Sequence, residues 1–454
     1  MYSRRLSALL ALPVMAIVIA LIGGVPGQDI LSDVLNKGAV KLANTYTTTM
    51  FGAVLAELVN KQGIARALIR WVAEFAGDNP FLLGLILTLV TGVLFSTLGG
   101  LGAVIMVGTI VLPVLLSLGI SNVTAGALYL FGISLGGMFN IAGWQLYSQV
   151  LGIVPQQIIA FVLPFATVVS LIIVAFLAVE LGVRKNLGYI VACLVVIGAS
   201  FAALAQRAAP TSPTAGAAAA SAADPNSITA AAITLAFLAF YALWRHREDA
   251  KTNPGFAIVS PLIPLLLVLA GHWDFIPAFV AGIVFCVFCT WKRDSINVLT
   301  RSIIDGIAAV IPAVVLMIGI GMLITAVSNP AVATAIGPLI QAVIPTHALA
   351  YIIIFTVMAP LALYRGPLSL WGMGSGLVKI IQNTKLLSSQ AIMSMLMSVG
   401  QVQGICDPTN TANIWIATYL ATDTQVLMRK TLPYAWVGVV LGLTLAVWFG
   451  YVQW

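Results

Sequence analysis

Apolar stretches of about 20 residues follow one another along almost the whole of this 454-residue chain, and that is the length an α-helix needs to cross a bilayer. Hydrophobic residues make up 61% of the sequence and charged residues only 8%, with a mean hydropathy of +1.07. A soluble chain of this size has no interior large enough for so much apolar surface. The sequence therefore predicts an all-α polytopic membrane protein.

The basic residues are spread in a way that fits membrane topology. The net charge of +7 does not indicate a nucleic-acid partner, because Lys and Arg occur in small groups between apolar stretches and not along one face. The first apolar run follows Arg4 and Arg5 and lacks a good cleavage site. We interpret it as a retained first helix and not as a signal peptide.

About eleven stretches are predicted to cross the membrane once. They lie near residues 6–24, 44–59, 124–150, 156–182, 188–206, 228–244, 256–272, 275–291, 305–327, 391–420 and 432–451. Two longer runs, 81–119 and 347–381, each hold enough residues for two helical arms, with an interruption near the middle at Ser96–Gly102 and at Tyr364–Ser369. A re-entrant hairpin that enters and leaves on one side fits both runs.

Loop charges test this topology. With the N-terminus in the cytoplasm, the basic groups that begin at Lys61, Arg184, Arg245, Lys292 and Arg429 all fall inside, as the positive-inside rule requires. The exceptions are Lys37, Lys41, Arg207, Lys379 and Lys385. Counting either hairpin as a single span would move most of the basic groups outside. The C-terminus is then external, and the two halves of the chain run in opposite directions, which is typical of the inverted repeats of secondary transporters.

The sequence accordingly divides into four regions. They are a first helix with an external loop at 1–38, a first repeat at 39–182, linking helices at 183–300 with an external Ala/Pro/Ser-rich loop at 207–227, and a second repeat at 301–454. Each repeat holds one hairpin, at 81–119 or 347–381, and one broken helix, at 124–150 or 391–420.

The two broken helices correspond to each other at a separation of about 267 residues. A gapless alignment places Gly136 and Gly137 against Gln403 and Gly404, and it places Asn140 against Asp407. Paired discontinuities in matching halves point to the binding site of a secondary transporter. The sequence therefore predicts a site where the two hairpin tips and the two breaks meet.

Asp407 is the strongest candidate ligand for the coupling cation. It lies near the middle of a predicted span and is followed by Pro408, Thr409, Asn410 and Thr411. The proline breaks the helix and frees carbonyl groups, and the hydroxyl and amide side chains add oxygen ligands. Such a carboxylate suits a sodium ion, or carries a proton when it is desolvated. The alternative is a structural carboxylate that caps the second half-helix.

Arg365 is the corresponding candidate for binding an anion. It lies in the tip of the second hairpin in the sequence LYRGPLS, in otherwise apolar surroundings. An arginine inside a membrane is costly unless it meets an anion or a water-filled cavity, and its planar fork suits a carboxylate or phosphate. The alternative is an internal ion pair with Asp407.

The tip of the first hairpin carries no charge. Its small and polar residues are Ser96, Thr97, Gly99, Gly100 and Gly102. Glycines let a ligand approach the backbone, and a second arm that begins near Ala103 would aim helix N-terminal amides at an anion. Close helix packing is the alternative use of the same small residues. Asn140 is predicted to supply a neutral oxygen, and Glu57 to be an interfacial residue, not a proton relay.

Four motifs resemble those of the ion transporter superfamily, which includes gluconate, citrate-metal, divalent-anion and four-carbon dicarboxylate permeases. They are FSTLGGLGAVIMVGTIVLPVL from Phe95, SLGGMFNIAG from Ser134, LYRGPLSLWGMG from Leu363 and CDPTNTAN from Cys406, and the resemblance covers about residues 40–182 and 300–454. The Ser-Asn-Thr signature of the divalent-anion members is absent from both tips.

The resemblance implies that substrate and cation bind between the tips and breaks, and that a scaffold forms a homodimer. Carried over by position, the substrate-binding candidates are Ser96, Thr97, Gly99, Gly100, Asn140, Arg365, Gly366, Asn410 and Thr411. The coupling-cation candidates are Asp407, Thr409 and Asn140, with a sodium ion, if one binds, at Asp407.

These observations predict a multi-pass transporter of a bacterial-type inner membrane. It would carry a small organic anion, such as a dicarboxylate, a tricarboxylate or a sugar acid, by symport with protons or sodium, and it would need no other cofactor. A cation/proton antiporter and an ion channel remain alternatives. An enzyme is not expected, because no nucleophile with a base and no paired carboxylates occur at workable spacing.

Overall fold

The computed structural model describes residues 8–76, 79–183, 185–207, 255–341, 344–372 and 374–452. Within these ranges the chain is built from helices and contains no strand, so the predicted all-α fold is confirmed. Four helices are long and apolar enough to cross a membrane, and a bent pair makes a fifth candidate. Several shorter apolar helices accompany them. The chain is thus a multi-pass membrane protein.

The unbroken helices outside the hairpins account for the scaffold of the fold. They are Ala8–Ile22, Ala43–Lys61, Pro155–Leu181, Leu187–Arg207, Ile263–Gly271, Phe275–Cys289, Ser295–Ser328 and Thr424–Trp448. The helix predicted at 228–244 and all but the first residue of the loop predicted at 207–227 lie outside the described residues.

Hairpin 1 consists of the arms Pro80–Phe95 and Gly100–Ser117, and tip 1, Ser96–Gly99, joins them. Its second arm begins three residues earlier than the predicted start at Ala103. Both open ends of the hairpin lie at one level, because Gly84 of the first arm packs near Ile120, which follows the second arm. The chain therefore enters and leaves this hairpin on the same side, as the sequence predicts.

Hairpin 2 is less regular than hairpin 1. Its first arm, Ala348–Met358, continues into a 3₁₀ segment, Ala359–Arg365, and its second arm is Gly374–Thr384. We call residues 363–369 tip 2. Both open ends lie beside the start of the next helix, because the Tyr351 hydroxyl donates to the Ala391 carbonyl and Gln382 Nε2 donates to Ser389 Oγ. The second hairpin therefore also returns to its starting side.

A broken helix follows each hairpin. Broken helix 1 consists of Asn122–Met138 and Ile141–Leu151, which are bent by 49° at break 1, residues 139–140. Broken helix 2 consists of Ser389–Cys406 and Thr411–Tyr419, with break 2 at residues 407–410. Break 2 is two residues longer than break 1, and the arm before it ends one residue later in the gapless alignment. The two second arms are therefore offset from that alignment by three residues.

The first arms of the two broken helices begin in the same way. Ser121 and Ser388 precede them, and each serine oxygen accepts a hydrogen bond from the backbone N–H three residues later. A side-chain oxygen at this position satisfies one of the N–H groups that the first helical turn leaves open. These two serines are also 267 residues apart, since 388 − 121 = 267.

A short helix that is not a candidate membrane span precedes each hairpin. Ile64–Ala76 precedes hairpin 1 and Pro330–Gln341 precedes hairpin 2. A further helical run covers Gly27–Asp29, Ile30–Lys37 and Gly38–Val40. These segments are too short or too polar to have the apolar length of a span.

Helix ends that the loop charges assign to one side meet in the structure. Asn122 donates a hydrogen bond to the Leu420 carbonyl, and Lys61 pairs with Asp305, on the face predicted to be cytoplasmic. On the opposite face, the side chains of Gln382 and Ser389 both donate to the Leu151 carbonyl. The predicted grouping of helix ends is therefore consistent with these contacts, while the choice of the inner face stays a prediction.

Close packing of hairpin 1 against broken helix 1 depends on glycine. A Cβ atom added to Gly136 would lie 2.4 Å from the Gly92 carbonyl oxygen, and one added to Gly132 would lie 2.7 Å from the Thr88 carbonyl oxygen. Backbone atoms cannot move aside as flexible side chains do. In this pair of helices the small residues serve the close contact that is typical of membrane helix pairs.

Gly136→Ala should therefore destabilise the folded protein by about 1–3 kcal/mol, the usual cost of overpacking a well-filled contact. Gly137→Ala is the matched control, because a Cβ atom there meets nothing within 4 Å. Both variants can be compared with the wild type by thermal unfolding in detergent. Equal stability of the two variants would contradict the close contact.

Candidate functional site

The hydroxyl groups of tip 1 form hydrogen bonds within hairpin 1. Ser96 and Thr97 are buried, and their hydroxyls donate to the carbonyls of Val93 and Leu94 within the same arm. Gly99 and Gly100 lie nearer the surface, and Gly100 has a positive φ of 82° that glycine adopts without strain. Of these four predicted substrate ligands, the two glycines at the start of the second arm are the ones that lie in partly open surroundings.

Asn140 fastens break 1 to tip 1. Its side-chain oxygen accepts from the backbone N–H groups of Ala142 and Gly143 and so caps the second arm of broken helix 1. Its side-chain nitrogen donates to the carbonyls of Phe95 and Leu98, 3.3 and 3.4 Å away. The structure thus places Asn140 beside tip 1 as predicted, but both polar ends of its amide already serve the backbone.

Tip 2 is held by a tight backbone turn. Tyr364 has a left-handed φ of 57°, and Gly366 is so close to the Leu361 carbonyl that a Cβ atom would approach its oxygen to 2.1 Å. Only glycine fits at position 366, so the geometry of the turn by itself explains why this predicted substrate ligand is a glycine. The backbone of Arg365 lies between these two residues, and its side chain is outside the part of the chain that the structure describes.

Tip 2 is joined to broken helix 2 by a hydrogen bond that the sequence did not suggest. Ser369 is fully buried, and its hydroxyl donates to Gln403 Oε1 at 2.7 Å. Gln403 precedes Asp407 by one helical turn, so this bond brings tip 2 to break 2. Each hairpin tip therefore contacts the broken helix of its own half.

Asp407 is fully buried at the beginning of break 2. One carboxylate oxygen, Oδ1, accepts from the backbone N–H of Thr409 at 2.9 Å and from the Thr409 hydroxyl at 2.6 Å. The other oxygen, Oδ2, is buried without a hydrogen-bond partner among the described residues. Asn410, not Asp407, caps the second arm, because its side-chain oxygen accepts from the Ala412 N–H.

The remaining predicted ligands of break 2 are more open. Thr409 and Thr411 are exposed and Asn410 is partly buried. The structure therefore brings Asp407, Thr409, Asn410 and Thr411 into one turn, with the charged group at its base and the two threonines toward the open side.

Asn413 belongs to the same site, although the sequence analysis missed it. It is 3% exposed, and its side-chain nitrogen donates to the Ile405 carbonyl across break 2 at 2.9 Å. Its side-chain oxygen, like Asp407 Oδ2, is buried without a partner in the described structure. The sequence does contain a signal for Asn413, since a polar amide in an apolar membrane segment is a candidate functional residue.

Two buried oxygens without partners, within seven residues of one another in sequence, need a physical explanation. A buried carboxylate carries a large desolvation penalty unless a cation, a proton or hydrogen-bond donors compensate it. No salt bridge links Asp407 to a described basic side chain. Carboxylate and amide oxygens are suitable ligands for a hard cation. The residues present at break 2 therefore fit a small cation or a proton.

The two broken helices meet at residues that the predicted repeat makes equivalent. Ser134 and Gln401 are 267 residues apart, and the buried Ser134 hydroxyl donates to Gln401 Oε1 at 2.8 Å. One turn later, Gly404 lies so close that its Cβ position would be 3.0 Å from Ser134 Oγ. Contacts between equivalent residues occur at a two-fold axis. A continuous series of contacts thus runs from tip 1 through both broken helices to tip 2.

A shallow, partly open crevice lies beside tip 1, and its cavity volume of about 10 Å³ leaves room for roughly one water molecule. Gly99 and Gly102 of hairpin 1 form one wall, and Glu57 and Asn60 of the helix Ala43–Lys61 form another. Glu57 is half-buried and lies 3.7 Å from Lys61 Nζ. Glu57 thus lies closer to tip 1 than its predicted interfacial role suggested, and it shares Lys61 with Asp305.

Comparison with known proteins supports the fold. No family model matches the sequence, and no curated protein sequence matches it. The fold is similar to the crystal structure of the Alcanivorax borkumensis YdaH transporter, with a TM-score of 0.50, 15% sequence identity and coverage of 98% of both chains. The chain therefore has the fold of a membrane transporter over nearly its whole length.

Proposed function

We propose that the chain is a secondary active transporter that couples the movement of a proton or sodium ion to the uptake of a small organic anion. A transporter fold that spans 98% of the chain is the starting point. The observation that carries the proposal is the fully buried Asp407, whose second carboxylate oxygen has no described partner. A fold of this kind with such a group at a helix break is suited to ion coupling.

The coupling cation would bind at break 2. Asp407 Oδ2 supplies the charge, and the Asn413 side-chain oxygen and the partly open hydroxyl of Thr409 stand on the same broken helix. Oxygen ligands of this kind suit sodium, and a desolvated carboxylate also takes up a proton. Neutralisation of Asp407 by either cation removes the free-energy cost of burying its charge. Cation binding would therefore favour the conformation in which Asp407 is buried.

The anion would bind between the tips. A substrate carboxylate near tip 2 would accept two hydrogen bonds from the guanidinium group of Arg365. At tip 1, the helix that begins at Gly100 would contribute its free N-terminal amides and the positive end of its dipole. Gly99 and Gly100 leave the backbone uncovered at tip 1. A small organic acid, such as a dicarboxylate, a tricarboxylate or a sugar acid, matches this set of groups.

Alternating access follows from the predicted repeat. Hairpin 1 would open to the cytoplasm and hairpin 2 to the outside of a bacterial-type inner membrane, so that the two halves expose one central site in turn. The crevice beside tip 1 lies on the face assigned to the cytoplasm and would form part of the inner path. Membership of the ion transporter superfamily and a homodimeric scaffold belong to the same proposal, and transport rather than enzymatic catalysis is the activity we assign.

Asp407→Asn tests the coupling role. The amide cannot carry a proton and binds sodium less well than the carboxylate, so cation-driven accumulation of a radiolabelled carboxylate in proteoliposomes should fall to the level seen without a cation gradient. For one-to-one coupling at zero membrane potential, the wild type should reach about tenfold accumulation for a tenfold cation gradient.

Asp294→Asn is the control for this test, because Asp294 is an exposed carboxylate that precedes the helix Ser295–Ser328 and belongs to neither break. Accumulation by Asp407→Asn that equals the wild type would remove Asp407 from the mechanism. If the wild-type protein instead exchanges cations and accumulates no carboxylate, the chain is a cation/proton antiporter. Currents far above transporter turnover, without accumulation, would indicate a channel.

Arg365→Ala tests anion binding. Loss of a charge-assisted contact worth about 1.5–3 kcal/mol should weaken stabilisation of the purified protein by carboxylates about tenfold or more in concentration. Arg365→Lys keeps the charge without the fork and should be intermediate, whereas Arg301→Ala, at an exposed position, should match the wild type. If Arg365 only pairs with Asp407, the variant should lose stability without ligand and keep its affinity for carboxylates.

A further inference from the structure

The amphipathic helix Ile64–Ala76 lies between the scaffold helix Ala43–Lys61 and hairpin 1. Its 13 residues extend for about 20 Å, which is too short to cross a bilayer. One face, formed by Ile64, Ala65, Ile69 and Val72, is buried against the protein. The helix is therefore anchored by packing and lies beside the membrane-spanning helices, not within a span of its own.

The opposite face of this helix is basic and aromatic. Arg66, Arg70 and Glu74 are exposed, and Trp71 is 61% exposed. The ion pairs of the described structure do not involve either arginine, whereas Lys61, just upstream, is paired with Glu57 and Asp305. Two arginines beside a tryptophan are typical of a helix that lies at a membrane interface.

The second half of the chain provides an internal comparison. Pro330–Gln341 occupies the corresponding place, after the long helix Ser295–Ser328 and before hairpin 2, and it contains no charged residue. A helix in this position thus needs no arginine in order to follow a scaffold helix and lead into a hairpin. The arginines of Ile64–Ala76 therefore require an explanation outside the packing of the fold.

We propose that Arg66 and Arg70 bind the headgroups of anionic phospholipids at the face predicted to be cytoplasmic. Each basic side chain near an anionic surface strengthens binding, and a phosphate accepts two hydrogen bonds from an arginine fork. The exposed Trp71 ring lies beside them, where an amphipathic aromatic side chain is stable at headgroup depth.

Headgroup binding at this helix acts on hairpin 1. The helix packs against both arms of the hairpin and against Ala43–Lys61. A lipid that holds the helix at the interface therefore restrains the open end of the hairpin relative to the scaffold. The prediction concerns binding and restraint, and it does not depend on which substrate or cation the protein transports.

Hydrogen exchange of the full-length protein in nanodiscs tests this inference. Wild type, Arg66→Gln/Arg70→Gln and the control Lys292→Gln/Arg293→Gln, which removes two exposed charges from a loop assigned to the same face, are compared in neutral phosphatidylcholine with and without phosphatidylglycerol. Phosphatidylglycerol should slow amide exchange in Ile64–Ala76 and at the open end of hairpin 1. The factor should reach up to about thirty in the wild type and the control, the effect of two basic residues at an anionic surface.

The arginine variant should lose most of this protection while its exchange elsewhere stays unchanged. Equal protection in the arginine variant and the wild type would overturn the proposal, as would an equal loss in the loop control, which would indicate a general charge effect. Soluble glycerol 3-phosphate, added to neutral nanodiscs, distinguishes the source of the phosphate. Full protection by that compound would reveal a site for soluble phosphates and not for lipid.

Discussion

The fold depends on hydrogen bonds to the backbone N–H and C=O groups that lose their helical partners where membrane helices are interrupted. Hydrocarbon offers no hydrogen-bond partner, and each unsatisfied N–H or C=O group costs several kcal/mol. Side chains fill that need at both breaks: Asn140 and Asn410 cap the second arms, Asn140 also binds two carbonyls of hairpin 1, and Asn413 binds the Ile405 carbonyl across break 2. Asn140 thereby also fixes the position of tip 1, whereas tip 2 is held by the hydrogen bond between Ser369 and Gln403.

The two halves apply this arrangement differently. At break 1 both ends of the Asn140 amide are occupied by the backbone, which leaves a neutral and satisfied break. At break 2 the longer interruption adds Asp407 and leaves one of its oxygens, together with the oxygen of Asn413, without a described partner. Break 1 is therefore neutral, and break 2 carries the unbalanced charge on which cation coupling would depend.

The sequence predicted most of the long apolar helices that the structure describes, the two hairpins and the places of the breaks, because apolar length, glycine and proline have local physical effects on a membrane chain. It did not predict the bonds between distant residues, such as Ser134 with Gln401 and Ser369 with Gln403, since these depend on how helices cross. The gapless alignment also paired Asn140 with Asp407, whereas the structure pairs Asn140 with Asn410 as helix caps. The three-residue offset between the two caps becomes visible only once the arms have formed.

The amphipathic helix Ile64–Ala76 illustrates a second limit of sequence analysis. Its charges interrupt the apolar run that a search for spans requires, so the segment resembled a basic loop. Only its buried face, set against hairpin 1, shows that the segment is an ordered part of the fold. Loop charge identified the correct region but not its structure.

Charge movement on a solid-supported membrane tests the central claim most directly, because it detects cation binding without knowledge of the substrate. A rapid jump in sodium concentration or in pH is applied to proteoliposomes that contain the wild type or Asp407→Asn. The account predicts a transient current in the wild type with at least one of the two cations and no such current in the variant. A current of unchanged size in Asp407→Asn, or none in the wild type with either cation, would contradict a coupling site at break 2.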